Sequence, residues 1–509
     1  MTRRWIPIPG PFVLASAALL VGCLLLGGGT RVGFLSDALL QLFAIPLLLT
    51  CIWRLLDLPS VKHVRWVLAF SCAVALVPLI QLIPLPPQLW TSLPNREASI
   101  AAFALLGQEL PWMPISVSPH ATWLSALSLL PPTAILFATL LLGHYERRLL
   151  SLVVLAVGIV SVFTGLTQVA QGPQSPLRFF EITNLSEAVG FFANRNHFAS
   201  LLYALSLLAA AWALEAAIEY ETARKQHDTG WMVAVVASFT VLVVLVAAQA
   251  MTRSRAGLGL TMVALLGAFA LAFSDRRNMS GFTPTKLFVG AIALAAMLAV
   301  QYALYKVLDR FAEDPLEDAR LALARNTFAL AKAFMPFGSG MGTFVPVYAN
   351  FEKPQDAHVD SFANHAHNDV LELCLEAGAA GIALMAIFLG WVVVTSVRMW
   401  RHNVAGGGSI DWSLSRAATL VIGLISAHSF VDYPLRTSAM MAILAFACGL
   451  LIEPSTQAKR TTSEDTSAHR VPVTISPLPN IGPPASLNTG ERWGNNVNWP
   501  KAWRDSGST

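Results

Sequence analysis

Charge is scarce in this chain. Asp, Glu, Lys and Arg make up 13% of it, against about 25% in a typical soluble domain, which excludes an ordinary water-soluble fold. Cysteine is scarce too. Cys23, Cys51, Cys72, Cys374 and Cys448 all fall in apolar stretches, with no metal spacing and no paired framework. They read as small core residues, not as a disulfide scaffold. The sequence has no D-x-D pair, no H-E-x-x-H, no P-loop and no G-x-S-x-G. Nothing points to a metal, a bound nucleotide or an acyl-serine mechanism, and no cofactor is expected. No solenoid-type repeat is visible.

What is abundant is apolar. Hydrophobic residues make up 55% of the chain and the mean hydropathy is +0.58. A spanning helix needs about 20 apolar residues, and roughly twelve stretches qualify. They lie near 11–29, 34–55, 65–85, 123–142, 148–170, 194–219, 231–250, 255–274, 285–305, 368–396, 413–431 and 437–452. The expected fold is all-α and polytopic. Arg3, Arg4, Arg54, Lys62, Arg65, Arg147, Arg148, Arg224, Lys225, Arg276, Arg277, Lys286, Arg398 and Arg401 fall on one side if the N-terminus is inside. That bias predicts both termini in the cytoplasm. It also accounts for the net charge of +4, so no nucleic-acid partner is expected. Cys23 lies within its apolar run, which favours a retained first helix over a cleaved signal.

Residues 1–452 form the expected membrane domain. Within it, 86–122 make a Pro- and Trp-rich outer loop whose middle, Ala98–Leu106, suits an interfacial helix. Residues 306–367 make the largest outer loop, ahead of the tenth helix. Residues 453–509 are rich in Ser, Thr, Pro and Asn and read as a disordered inner tail.

Two short stretches place charge where a membrane protein avoids it. The first is Asn364-His365-Ala366-His367-Asn368-Asp369. Asp369 followed by Glu372 reads as an N-cap with its capping-box partner. His367 then sits just before a helix N-terminus on the outer rim, where a base could work, and His365 is a second candidate. Asn368, Glu372 and Glu376 recur every four residues and share one helix face, which implies a polar cleft or basic partners. The second stretch is Thr252-Arg253-Ser254-Arg255-Ala256-Gly257, in a short outer turn. Arg195 and Arg436 also fall at the outer mouths of their helices, and Arg320 and Arg325 in the large loop. Arginine's planar fork suits phosphate oxygens, so the set suggests a di- or polyphosphate near a histidine. Taken singly, each arginine could equally snorkel or pair with a nearby acid. Gly338, Gly340 and Gly342 could let backbone approach a phosphate or could form a tight turn.

These pieces together resemble the O-antigen ligase and O-antigen polymerase family of bacterial envelope glycosyltransferases. The matching residues are Ser254-Arg255-Ala256-Gly257, Arg320 ahead of Pro336, and Gly338-x-Gly340-x-Gly342-x-Phe344. The last piece is His365-x-His367-Asn368-Asp369-x-Leu371-Glu372 with Glu376-x-Gly378. The motifs cover residues 190–400. A tryptophan expected after the loop arginine is replaced by nearby Phe328, so either Arg320 or Arg325 can fill that position. The resemblance implies transfer of a glycan from an undecaprenyl-pyrophosphate carrier to an acceptor hydroxyl on the periplasmic side. The acceptor would be lipid A-core for a ligase or a growing polysaccharide for a polymerase. It gives His367 the role of base and the arginines that of pyrophosphate ligands, without a metal. A transporter with no chemistry is the reading of another class.

Overall fold

The computed structural model describes residues 9–31, 33–57, 64–224, 230–274, 316–352, 363–401 and 410–454. All regular elements among them are helices, apart from one isolated bridge between Leu85 and Met113. The chain opens with α1 (Pro11–Leu26), α2 (Leu35–Leu56) and α3 (Arg65–Gln81). Two short surface helices follow, α4 (Pro87–Trp90) and α5 (Glu97–Leu105). α5 lies in the loop expected to hold an interfacial helix, and Leu105 at its end is 89% exposed.

The next apolar stretch is two helices, α6 (Pro119–Ser128) and α7 (Leu130–Leu141), meeting at Leu129. Pro131 and Pro132 lie in the first turn of α7, where missing amides cost nothing. Then come α8 (His144–Gln171), α9 (Arg195–Arg224), α10 (Gly230–Met251) and α11 (Arg255–Ser274). The stretch expected as the large outer loop carries α12 (Leu316–Ala333) and α13 (Phe344–Phe351) among its described residues. The last helices are α14 (Asp369–Arg401), α15 (Ile410–His428) and α16 (Ser438–Leu450).

Among the described residues, eight helices are long and apolar enough to cross a membrane, counting α6 and α7 together, and three shorter apolar helices accompany them. The chain is therefore a multi-pass membrane protein. The expected stretch 285–305 and the tail beyond 454 lie outside the described residues.

α9 is the hub. It packs against α10, α11 and α15, and alanines such as Ala204, Ala209, Ala211 and Ala217 let those neighbours approach closely. Gly257 of α11 faces α9 so closely that a Cβ there would stand 2.4 Å from that of Ala199. By contrast α2 exposes Leu42, Phe43, Leu49 and Trp53, the pattern of a lipid-facing helix. At the basic end, Arg148 forks onto Asp411 at 2.7 and 2.6 Å and ties α8 to α15.

α14 is broken. Gly378 adopts φ +58° and ψ −142°, so the helix stops after Ala377 and restarts. The freed carbonyls are taken by the loop after α12: Leu375 O accepts from Ser339 N (2.9 Å) and Glu376 O from Gly340 N (3.0 Å). Gln81 adds its Nε2 to Glu376 O at 2.8 Å. Backbone at that depth is tolerated because protein groups satisfy it.

Candidate functional site

Asn368, not Asp369, caps α14. Its Oδ1 accepts from Leu371 N at 3.0 Å and its carbonyl from Glu372 N at 3.1 Å. The expected Asp369 cap is corrected by one residue, and the reason is competition for that carboxylate. Asp369 Oδ2 accepts from Ser429 Oγ (2.9 Å) and Leu435 N (3.2 Å) across the α15–α16 connection. Glu372 does reach back, but past the cap: it accepts from Ala366 N at 2.9 Å and meets His365 Nδ1 at 2.8 Å.

The acidic stripe has a basic partner, Arg436, in the 3₁₀ turn Pro434–Arg436. Its Nη1 lies 2.7 Å from Glu376 Oε2 and 3.5 Å from Glu372 Oε1, and its Nε 3.5 Å from Asp369 Oδ1. Burial alone would lower the Arg436 pKa, but the three carboxylates outweigh it and raise it. His365 joins this cluster. Its Nε2 donates to Thr30 O at 2.8 Å, while Nδ1 faces the Glu372 carboxyl at 2.8 Å. Both ring nitrogens are thus engaged within the protein, and neither faces an open position. Burial opposes charge on the ring, yet the adjacent Glu372 carboxylate wins and the His365 pKa is raised.

His367 is placed differently. It has a left-handed backbone, φ +49°, of the kind that concentrates at functional sites. Its Nδ1 lies 3.2 Å from Asp432 Oδ1, and its side chain remains 27% exposed. Asp432 is fully buried. Burial would raise its carboxyl, but the hydrogen bond from His367 and the surrounding histidines hold it below the ordinary range. The ring of Tyr433 stands 4.8 Å from His367, 4.4 Å from His365 and 4.8 Å from buried His197. Behind it His428 Nδ1 meets Ser200 Oγ at 2.8 Å.

The arginines divide. Arg195 is held by Glu187 at 2.6 Å. Ser254 caps α11 through Gly257 N (3.0 Å), and the turn presents Arg253, exposed and with φ +50°, beside half-buried Arg255. Arg320 and Arg325 lie exposed on α12, and the charge of Arg320 reaches His428. The three glycines are steric necessities. Each has positive φ, and a Cβ would stand 2.3 Å from Glu376 O at Gly338, 2.5 Å from Ser116 Oγ at Gly340 and 2.2 Å from Ser125 Oγ at Gly342. They seat the loop in the break of α14.

Asp432 and Tyr433 are residues that the motifs do not assign, and Arg436, grouped by sequence with the phosphate arginines, is instead held by three carboxylates. The signal was available: two charges in a short connection between apolar segments, the same anomaly that singles out Arg253 and Arg255. Among the described residues, no cluster of three or more His, Cys, Asp and Glu side chains is arranged to hold a metal ion.

Residues 229–386 match the family model described as O-antigen ligase. The matched stretch contains Arg253, Arg255, Arg320, Arg325, the glycine loop and both histidines, and leaves Arg195, Asp432 and Arg436 outside. No curated protein matches the chain.

Proposed function

We propose, from the match of residues 229–386 to the O-antigen ligase model, that this chain transfers a glycan from an undecaprenyl-pyrophosphate carrier to an acceptor hydroxyl at the periplasmic face of the bacterial inner membrane. The observation that carries the reading is the contact between His367 Nδ1 and Asp432 Oδ1 at 3.2 Å. With Nδ1–H donated to Asp432, Nε2 keeps its lone pair. It takes the acceptor's hydroxyl proton as that oxygen attacks the anomeric carbon. The bond from carbon to pyrophosphate oxygen breaks, and its electron pair leaves with the lipid pyrophosphate. Arg253, Arg255 and Arg320 or Arg325 neutralise the growing charge, a task that needs no metal. Arg195 plays a supporting part, since Glu187 already holds it.

Ligation to lipid A-core is the version argued, and polymerisation of repeat units is the alternative within the family. Gene deletion separates them. A ligase leaves full-length glycan on the carrier, and a polymerase leaves surface glycan one repeat long. Unchanged surface glycan overturns both. A transporter would favour broken helices, and α14 is broken at Gly378. There the freed carbonyls are occupied by Ser339 N, Gly340 N and Gln81 Nε2, so the break serves as a packed joint and not as an open ion site.

A further inference from the structure

Two cavities of unequal polarity meet at the Asp369 end of α14. One, of about 540 Å³, combines apolar lining such as Phe344 and Val345 with hydroxyl and amide residues, among them Thr30, Ser118, Ser128 and Asn364. Asp37, Asp369, Glu372 and Glu376 also line it, with Arg31, His365 and Arg436 as the cations. Arg436 is committed to three carboxylates and His365 to Glu372. Acids outnumber cations in this wall four to three, so a phosphate entering it would meet a net like charge. Sugar hydroxyls, which both donate and accept, suit such a wall. Asp369 is only 7% exposed and its Oδ1 has no hydrogen-bond partner, with Arg436 Nε no nearer than 3.5 Å.

The second cavity, of about 310 Å³, is apolar. Its long walls are Phe70, Val74 and Val77 of α3 and Leu384, Met385 and Phe388 of α14. The α14 wall runs along both sides of the break at Gly378, from Asp369 to Phe388. The two cavities share Ser125, Leu129, Met341, Asp369, Leu373 and Leu435 as lining, so they adjoin.

We infer that the joined cavities bind a glycolipid with a hydroxyl-rich, phosphate-free headgroup in the polar chamber and a single hydrocarbon chain in the apolar one. His367 lines neither cavity, so the site stands independently of the transfer reading. The test uses the full chain in lipid nanodiscs, with labelled dodecyl maltoside and dodecyl phosphate as probes. Dodecyl maltoside should bind saturably, one per chain and at least ten-fold tighter than dodecyl phosphate. Leu373→Trp at the junction should weaken it ten-fold or more, and Val393→Trp on the exposed face should not. Asp37→Lys, which leaves the apolar cavity intact, should shift the preference toward dodecyl phosphate. Equal binding of the two probes, or binding untouched by both Leu373→Trp and Asp37→Lys, overturns the inference. His367→Ala protein should bind the maltoside normally, whatever its transfer activity.

Discussion

Asp432 meets one ring nitrogen of His367, the arrangement the proposed base requires, whereas Thr30 and Glu372 occupy both nitrogens of His365. His367→Ala should lower transfer by about 10²–10⁴-fold, with normal insertion and accumulation; near-normal transfer from purified carrier-linked donor would remove the base assignment. Arg255→Lys and Arg320→Lys keep charge but lose the fork, so transfer should fall by roughly 10²-fold. A Lys variant with unchanged donor affinity and rate would reduce that arginine to snorkelling. The His365–Glu372 pair predicts a pH effect of definite sign. The His365 pKa is raised, so the pair's contribution is complete below its ordinary pKa of about 6.5 and disappears as pH rises through the folded value. Thermal stability in detergent should therefore fall as pH climbs above about 6.5, and His365→Gln should flatten that fall. A steeper fall in the variant would reverse the assignment.

At the scale of the element, the joint between α14 and the glycine loop decides where the acids and histidines stand. A Cβ on Gly378 would stand 2.2 Å from Pro336 O, at φ +58°. Gly378→Ala should cost about 1–3 kcal/mol from backbone strain alone and more from the clash. Gly390→Ala, with nothing within 4 Å, is the control and should melt like the parent in a thermal-shift assay. Equal melting of the two variants would mean the joint is not held as described. The helices themselves were legible because apolar runs above about 17 residues have few other uses. The break was not, since a lone glycine in a helical pattern carries no mark of the loop that fills it. The stretch from Asn364 to Glu376 was conspicuous because charge stands out in an apolar chain. Its partners were harder to assign: Asp432 lies 65 residues from His367, and Arg436 lies 60 from Glu376. Helical periodicity reports which face a residue occupies, not what meets that face.

For the whole molecule, the arginine-based reading makes transfer independent of divalent ions. Activity of the purified protein should survive excess EDTA, and added magnesium or manganese should change it little. If chelation stops transfer and one ion restores it, Asp369, Glu372 and Glu376 become ligands and the arginine mechanism falls. The centrality of α9 bears also on how the protein is made. His197 and Ser200 leave the ribosome in an apolar helix more than two hundred residues before His428, Asp432 and Tyr433, the groups that will surround them. Assembly of the site is thus a late event of synthesis: a nascent chain that has already threaded most of its helices still lacks Asp432, the carboxylate 3.2 Å from His367.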